Sequence, residues 1–553
     1  TIEAVSSDKP DHIVVGINER DAQIFDLYQV DVTTGERELL KENPGYAAWL
    51  IDNSLEPRFG FVPTPEGGGN VVDFDGNVFA VIPAEDFLAT QAIGFNADNT
   101  AIYMVDSRDR DKAALTLVDI GSKELQLLAS SDVADISDIL MDPVTRSPVA
   151  FSFNHLKSEW SALTPEAEAD LAAISAKLDG SLGILSTTHD MSRWIIHEDS
   201  SDKPGAYYVY DRSTRSVSQL LVSRPGLAAY ELAPMQAMAI KSRDGLDLVS
   251  YLTLPPGSDT DGDGRPEQPV PMVLAVHGGP WARDEYGYHP WHQWLANRGY
   301  AVLSVNYRGS TGFGKAFTRA AIREFSGKMH DDLIDGVDWA IAEGIADPEK
   351  IAITGGSYGG YATLVGVSFT PDKFACGVDI VGPSSLVTLI ESFPEYWKPF
   401  LAGTWYTYVG DPANEEDRAD MLARSAISRI DDIRVPLLVG QGENDPRVTK
   451  QESDQLVEAM AAKEQQVTYV NFPDEGHGFA RPENRLAFYA VMEGFLTQCL
   501  GGRAENAGDV FEDSTIEVLH GGSYLSHMPM SCLLYTSDAA DDTQFVLMWV
   551  CAG

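Results

Sequence analysis

The stretch Ile351–Leu364, IAITGGSYGGYATL, sets one serine among four glycines, where an apolar run gives way to a helical pattern. Residues 355–359, GGSYG, fit the pattern G-x-S-x-G, which occurs once in the chain. Such a turn between a strand and a helix is so tight that a Cβ two residues either side of the serine would clash. The turn holds the hydroxyl above the carboxyl edge of the sheet, so we predict that Ser357 is a nucleophile.

A serine hydroxyl needs a base that takes its proton. In sites built on this turn, the acid and then the histidine follow the serine along the chain. Three histidines follow Ser357, and His520 and His527 lie in or near the C-terminal tail. His477 instead follows the strand-like run VTYVNF and precedes the last long helical pattern. We therefore predict that His477 is the general base.

The acid that orients the histidine should also lie at the end of a strand. Asp445 comes directly after the run VPLLVGQGEN and shortly before a helical pattern. A carboxylate there would hold the imidazole in one tautomer and stabilise the imidazolium. Glu443, Asp431 and Asp432 are the alternatives, and Asp445 is the prediction.

The oxyanion of a tetrahedral intermediate needs two hydrogen-bond donors. The first predicted donor is the backbone N–H of Tyr358, the residue after the serine. The second should come from the loop after the run MVLAVHGGP, where two glycines allow the backbone to approach a ligand closely. Of Gly278 and Gly279, we choose Gly279.

The chain changes character near Leu232. From Pro271 onward, apolar strands alternate with helical patterns, which indicates a mostly parallel sheet with helices on both faces. With the serine turn, this predicts a doubly wound α/β-hydrolase fold for residues 232–502.

Residues 1–231 are short strand-like runs separated by turn residues. Three segments repeat a strand that ends in aspartate, a tight turn and a second strand, and their aspartates Asp31, Asp119 and Asp211 lie 88 and 92 residues apart. This spacing is twice the length of one propeller blade, so an all-β propeller of about five blades is predicted. A β-sandwich is the alternative. The run TPEAEADLAAISAKL, from Thr164, predicts a helical insertion.

Composition restricts the partners. The chain has 553 residues and a net charge of −43, which disfavours nucleic acid and anionic membranes. No apolar run is long enough for a membrane span. Four cysteines form no disulfide framework, and Cys376 and Cys499 are predicted to be small core residues.

The two ends of the chain carry separate expectations. The chain begins at Thr1 without Met, so we expect an N-terminally truncated propeller, and the compartment, cytoplasmic or periplasmic, cannot be read. Residues 503–553 are predicted to be a C-terminal tail, foreign or disordered from about Ser526.

One sequence resembles a metal-binding motif but is not predicted to bind a metal. Residues 259–264, DTDGDG, match the start of a calcium loop, but the twelfth position is Val270 rather than a bidentate glutamate. A solvated surface turn is the preferred interpretation, and no metal or organic cofactor is predicted.

Several motifs together resemble the prolyl oligopeptidase family of serine peptidases, most closely its acylaminoacyl-peptidase-like branch. They are HGGPWA from His277, NYRGSTGFG from Asn306, GGSYGGYAT from Gly355, GENDPRV from Gly442 and DEGHGF from Asp474. The resemblance covers the hydrolase domain, residues 232–502, whereas residues 1–231 resemble the family in architecture and repeat style. It implies that Ser357, Asp445 and His477 form the catalytic triad.

The resemblance also implies a substrate site. Arg447 matches the position of an arginine that holds a substrate carbonyl, although a surface salt bridge is the alternative. The segment GPSSLVTLIESFPEYW, residues 382–397, falls where relatives line the pocket for the residue before the scissile bond. This pocket would be apolar, with Val387, Ile390 and Tyr358 as candidates, and ordinary core residues are the alternative.

A family member of this kind hydrolyses short or unfolded peptides through an acyl-enzyme, under a propeller that covers the site. Relatives carry seven or eight blades, a further reason to expect truncation. The alternatives are a carboxylesterase on small acyl esters, a dipeptidyl peptidase, and a binding module with a vestigial triad. The dipeptidyl-peptidase branch of the family carries adjacent glutamates in its propeller that bind a free amino terminus. No adjacent glutamate pair precedes Leu232, which argues against dipeptide release, and a pair in the missing blades is the alternative. Peptides are the expected partners, and a homo-oligomer is left open.

Overall fold

The structure is a computed structural model that describes residues 1–522. The tail predicted from Ser526, together with His527, lies outside the described residues. Within the described part of the chain, no helix is both long and apolar enough to cross a membrane.

The N-terminal part contains five small antiparallel sheets, as many as the blades expected from the sequence. Four have four strands and one has three, each in chain order. Their strands are β1 (Ile2–Val5), β2 (His12–Asp21), β3 (Ile24–Asp31), β4 (Arg37–Lys41), β5 (Ala48–Ile51), β6 (Pro57–Pro63), β7 (Gly69–Val72), β8 (Val78–Ile82), β9 (Gln91–Phe95), β10 (Ala101–Asp106), β11 (Ala114–Asp119), β12 (Leu125–Ala129), β13 (Ile136–Met141), β14 (Pro148–Asn154), β15 (Ser158–Ala162), β16 (Ser181–Thr187), β17 (Arg193–Ser200), β18 (Lys203–Asp211) and β19 (Ser216–Val222).

The repeated aspartates close the hairpin between the third and fourth strands of their sheets. Asp31 Oδ1 accepts hydrogen bonds from the backbone N–H groups of Thr33 and Thr34 at 2.8 and 3.1 Å. Asp119 and Asp211 accept equivalent bonds from the residues that follow them. The repeat therefore marks one hairpin position, because an aspartate there satisfies the N–H groups of the turn.

The predicted helical insertion is helix α1 (Pro165–Ser175). Thr164 caps it by accepting a hydrogen bond from Ala167 N at 3.2 Å, and proline occupies the first turn. Its apolar residues Leu171 and Ile174 pack against the fifth sheet.

A nine-stranded mixed sheet forms the second part of the chain, in the order β20-β21-β23-β22-β24-β25-β26-β27-β28. The six strands from β23 to β27 along this order pair in parallel, and the outer pairings are antiparallel. The strands are β20 (Met235–Lys241), β21 (Asp247–Thr253), β22 (Val270–Val276), β23 (Ala301–Val305), β24 (Ala346–Gly356), β25 (Cys376–Ile380), β26 (Leu437–Gly442), β27 (Val467–Phe472) and β28 (Glu517–His520). This is the doubly wound sheet of an α/β-hydrolase.

Helices cover both faces of this sheet. The helices are α2 (Pro290–Asn297), α3 (Lys315–Arg319), α4 (Lys328–Ala342), α5 (Tyr358–Phe369), α6 (Leu386–Glu391), α7 (Glu415–Ala423), α8 (Lys450–Ala461) and α9 (Pro482–Leu500). One core packs α4, α5 and α8 against the sheet, and a second core packs α2 and α9 against its other face. The strands of the centre are buried on both sides, which explains their continuous apolar sequences.

The catalytic domain extends beyond the boundary predicted at residue 502. Strand β28 pairs antiparallel with β27, with Val518 opposite Val470. The sequence prediction missed this strand because it is only four residues long and lies at the edge of the sheet.

Cys376 is buried in the core and Cys499 packs against the same core, as predicted, but the expectation that they form no disulfide is wrong, because the structure joins them. Their Cα atoms lie 6.3 Å apart and their sequence separation is 123. The bond connects the start of β25 to the last turn of α9. Packing of α9 on the sheet brings the two thiols together, which spacing along the chain cannot show.

The two parts contact each other through charged and polar groups near the carboxyl edge of the large sheet. Lys315 Nζ lies 2.8 Å from Asp86 Oδ1. Arg283 donates to the carbonyl oxygens of Asn154 and His155 at 2.6 and 3.0 Å. The propeller therefore lies against the loops that follow the strands, where α/β enzymes place their sites.

Candidate active site

Ser357 lies on a strained turn between β24 and α5. Its backbone angles are φ 59° and ψ −118°, in a region that non-glycine residues seldom adopt. A Cβ added to Gly359 would lie 2.1 Å from Val276 O, and one added to Gly355 would lie 2.4 Å from the same atom. The two outer glycines of the motif are therefore required by close approach of strand β22.

The glycines of this turn should differ sharply in their tolerance of substitution. We expect Gly359→Ala to lower the free energy of unfolding by about 3 kcal/mol, since a Cβ overlaps backbone that cannot move aside. Gly356→Ala is the matched control, because its Cβ would meet only Ile380 O, at 3.8 Å. Urea unfolding of both variants measures the difference, and equal stabilities would contradict the close-approach explanation.

The predicted base and acid are in contact. His477 Nδ1 lies 2.7 Å from Asp445 Oδ2, and the aspartate side chain is fully buried. Asp445 Oδ1 accepts backbone N–H bonds from Arg447 at 2.8 Å and Val448 at 3.0 Å. The carboxylate is thus held by its own loop, with one oxygen left for the imidazole, so Nδ1 carries a hydrogen and Nε2 is free to accept a proton.

The alternative acids point elsewhere. Glu443 accepts from Asn471 Nδ2 at 2.8 Å. Asp431 pairs with Lys463, and Asp432 lies 3.6 Å from Arg429.

A buried glutamate that the sequence analysis missed shapes the histidine loop. Glu475 accepts hydrogen bonds from the backbone of Ala480 and Arg481 at 2.8 and 2.9 Å and from Asn484 Nδ2 at 2.9 Å. The sequence offered one signal for Glu475: it is an acidic residue two positions before His477, just after a strand-like run. These bonds fix the backbone conformation of the residues after His477 and so help to fix the position of its imidazole.

The predicted oxyanion donors lie beside the serine. Tyr358 is the first residue of α5, so its N–H has no partner within the helix. Gly279 has φ 124°, a conformation that favours glycine. Both residues line the same cavity as Ser357 and His477.

The loop with Gly279 is held from the next strand. Tyr307 donates its hydroxyl hydrogen to His277 O at 3.0 Å, and Asp284 N donates to Asn306 Oδ1 at 2.8 Å. The motif that begins at Asn306 thus supports the loop after β22.

The cavity beside Ser357 has a volume of about 310 Å³ and a largely aromatic wall. Besides Ser357, His477 and the two glycines of the HGG loop, it is lined by Phe325, Tyr358, Tyr361, Pro383, Leu386, Leu389, Phe393, Trp397, Trp405, Arg447 and Val448. The only charged or titrating side chains on this wall besides the tyrosines are His477 and Arg447, so the interior suits an apolar side chain.

The structure does not place Val387 and Ile390 on the cavity wall, and the sequence-based choice is corrected. Both side chains are buried in the core, at 1% and 4% exposure. Leu386 and Leu389, from the same helix α6, line the cavity instead. The helix is one and a half turns long, and its rotation depends on packing that a short apolar run does not specify.

Two tryptophans of the wall were not named as candidates, although Trp397 lies at the end of the segment expected to line the pocket. Trp397 and Trp405 come from an irregular segment, residues 392–410, with a 3₁₀ turn and a π turn. Trp405 packs against Trp281 with a centroid distance of 5.4 Å. Aromatic residues without helical or strand spacing leave no periodic signal, although their density in this segment was visible.

Arg447 lies at the mouth of the cavity with an exposed side chain. Among the described residues, its guanidinium has no hydrogen-bond or ion-pair partner, so the surface salt bridge considered above is not formed there. A free guanidinium beside the predicted triad can donate to a peptide carbonyl.

Arg447→Met should therefore weaken the binding of peptides more than it slows the chemical step. We expect kcat/KM to fall about 30-fold, mainly through KM, because a charge-assisted hydrogen bond to substrate contributes about 2 kcal/mol. Steady-state kinetics on one peptide measures the change, with Arg434→Met, an exposed arginine on the same domain, as control. A variant with unchanged KM would contradict this role.

A buried carboxyl group lies beneath the serine turn. Among the described residues, Asp379 in β25 has no hydrogen-bond partner for either oxygen, and Gly360 and Gly382 approach it closely. Burial raises the pKa of Asp379 well above its usual value. The site beneath the turn therefore disfavours the charged form of this carboxyl group.

Residues 259–264, which resemble the start of a calcium loop, form an exposed turn. Asp259 accepts backbone hydrogen bonds from Gly262 and Gly264 at 2.7 and 3.0 Å. The carboxyl groups of Asp259, Asp261 and Asp263 lie within 4.8 Å of one another.

Comparison with known proteins agrees with this geometry. Residues 288–503 match the prolyl oligopeptidase family. The chain is 48% identical over 522 residues to dipeptidyl aminopeptidase BIII of Pseudoxanthomonas mexicana, covering 94% of this chain and 76% of that protein. It is 30% identical over 216 residues to the acylamino-acid-releasing enzyme of Arabidopsis thaliana, covering 38% of this chain and 28% of that enzyme.

Among solved structures, a puromycin-hydrolyzing peptidase of Mycobacterium tuberculosis superposes with a TM-score of 0.71 at 20% identity, covering 91% of this chain and 80% of that one. This likeness shows the shared fold of propeller and α/β-hydrolase. The 48% identity to a dipeptidyl aminopeptidase extends over 94% of this chain, and it confirms the family that the sequence motifs suggest. The chain therefore belongs to the prolyl oligopeptidase family of serine peptidases.

Proposed function

We propose that this peptidase releases dipeptides from the free amino end of short peptides. The observation that carries the proposal is the extent of the likeness. Identity to a dipeptidyl aminopeptidase runs through 94% of the chain and so includes the propeller. Sequence similarity to an acylamino-acid-releasing enzyme covers 216 residues, too few to cover both parts in full. The propeller covers the site and contributes to the selection of the substrate's amino end, so similarity there bears directly on specificity.

The proposed chemistry is acyl transfer to Ser357. Its hydroxyl attacks the scissile carbonyl while His477 Nε2 takes the proton, and Asp445 stabilises the imidazolium. The N–H groups of Tyr358 and Gly279 donate to the oxyanion. His477 then protonates the leaving amine, and water hydrolyses the ester with His477 again as base.

The aromatic cavity would receive the side chain before the scissile bond. Its wall offers no carboxylate, so a large apolar residue fits it better than lysine. Arg447 at its mouth would hold a carbonyl of the substrate. Residues 1–231 contain no adjacent glutamates, so that motif does not identify the group that receives the free amino end.

Matched fluorogenic substrates test the proposal. We expect the free dipeptide Gly-Phe on aminomethylcoumarin to be cleaved about 100-fold faster, in kcat/KM, than its acetylated form, because only the free amino group gains an ion pair. Acetyl-Phe-aminomethylcoumarin and an acetyl-Phe ester complete the panel. Preference for the acetylated amides would instead indicate an acylaminoacyl peptidase, and cleavage of the ester alone an esterase.

A further inference from the structure

A second cavity lies on the opposite side of the loop that contains Gly278. It has a volume of about 440 Å³ and opens at the carboxyl edge of the large sheet, between the first residues of α2 and the first half of α9. Gly278 lines both cavities. Gly356, directly before Ser357, lines this one, whereas Tyr358, directly after it, lines the aromatic cavity. The two cavities therefore flank the serine.

This arrangement suggests which part of a substrate each cavity holds. A peptide bond that lies over Ser357 has an acyl part on one side and a leaving peptide on the other. In the proposed function, the aromatic cavity holds the acyl part, next to Arg447. The second cavity lies beside Gly356, on the other side of the serine, and is the recess available there to the leaving peptide.

The second cavity combines an apolar wall with one unsatisfied acid. Trp291, Tyr489 and Ile380 contribute apolar surface, and Asp284 lies among them. Among the described residues, Asp284 Oδ2 is buried without a hydrogen-bond partner. Buried polar atoms are nearly always paired, so this carboxyl oxygen at a cavity wall needs a partner from outside the described chain, a role that a ligand can fill.

The backbone of Asp284 is firmly held even though its side chain is not. Asp284 N donates to Asn306 Oδ1 at 2.8 Å, and Asn306 Nδ2 donates to Asp284 O at 3.2 Å. The carboxyl group is thus presented to the cavity from a fixed position, as a specific binding group must be.

None of the neighbouring basic groups pairs with Asp284. Arg283 directs its guanidinium to the carbonyl oxygens of Asn154 and His155. The ring of His277 contacts Gly278 O at 2.8 Å and Ser310 Oγ at 3.0 Å. Burial lowers the pKa of His289, so this imidazole is neutral at pH 7 and does not repel a cation.

Burial has the opposite effect on the acid. It raises the pKa of Asp284, which means that the charged form is costly in the empty cavity. A cation that enters the cavity would relieve this cost by pairing with the carboxylate.

We infer that the second cavity binds a basic side chain, carried by the first or second residue of the leaving peptide, whose charge pairs with Asp284. The methylene stem of a lysine would lie against Trp291 and Tyr489, as such stems do on apolar surfaces. This inference rests on the proposed function, since it deepens the specificity of the same site.

Pairs of peptides that differ only in one ammonium group test the inference. The substrates are Gly-Phe-Lys-Ala and Gly-Phe-Ala-Lys amides, each with a matched norleucine peptide, and kcat/KM is measured by chromatography. In at least one pair, we expect the lysine peptide to be cleaved about tenfold faster than the norleucine peptide. In Asp284→Asn, this ratio should fall to about one. Glu285→Gln, which removes an exposed neighbouring carboxylate, should keep the ratio.

The outcomes separate this inference from the proposed function. If all four peptides are cleaved after Phe with no preference for lysine, the inference is overturned while dipeptide release stands. A lysine preference that persists in Asp284→Asn also overturns the inference, because another group would then bind the lysine ammonium. Absence of cleavage after Phe in every peptide would refute the proposed function itself. The comparison of lysine with norleucine peptides uses the unmodified protein. It therefore tests the lysine preference even if Asp284→Asn does not fold.

Discussion

Ser357→Ala is expected to lower kcat for dipeptide release by about 10⁶-fold, to the rate that the oxyanion donors and substrate binding alone can support. The alanine cannot form the acyl-enzyme, and the remaining donors can act only on the direct attack of water. Fluorogenic dipeptide cleavage at saturating substrate measures the loss. Folding should be unaffected, since the hydroxyl makes no hydrogen bond within the described residues that the fold depends on.

The matched control is Ser122→Ala, which removes a hydroxyl from a propeller hairpin. We expect this variant to retain full activity. If Ser357→Ala retains more than about one thousandth of wild-type kcat, Ser357 is not the nucleophile.

Asp445→Asn should lower kcat by about 10⁴-fold. The amide would still accept the backbone bonds from Arg447 and Val448, but it cannot stabilise the imidazolium of His477. An amide nitrogen facing Nδ1 would also favour the wrong tautomer of the imidazole. Steady-state kinetics measures the change, and KM should move little, because the carboxylate does not contact substrate.

Asp431→Asn is the control for this variant, since Asp431 was an alternative acid and is exposed beside Lys463. It should leave kcat within a factor of about two. A large loss in Asp431→Asn together with activity in Asp445→Asn would reverse the assignment.

Much of the fold could be predicted because the informative features are local. The aspartates at the hairpins recur at one position in three of the five small sheets, and the alternation of buried strands and helices marks the parallel sheet. The short edge strand β28 and the disulfide between Cys376 and Cys499 were missed. Both depend on contacts between segments far apart in the chain, for which one sequence carries no signal.

The residues of the site, like the elements of the fold, were predicted only in part. Ser357, Asp445 and His477 were predicted because each follows a strand, and the carboxyl ends of parallel strands meet at one edge of a sheet. The wall of the aromatic cavity was predicted only in part, since Tyr358 and Arg447 line it whereas Val387 and Ile390 do not. Leu386 rather than Val387 faces it because packing sets the rotation of a short helix, and Trp405 comes from a segment without periodicity.

Covalent labelling with a fluorophosphonate tests the central claim most directly, namely that Ser357 is activated by His477 and Asp445. The probe reacts with serines whose hydroxyl is activated by a base. Intact mass and peptide mapping should show one adduct per chain, on the peptide that contains Ser357, with no adduct in Ser357→Ala and slow labelling in Asp445→Asn. Labelling of another serine, or a folded wild-type protein that does not react, would contradict the account.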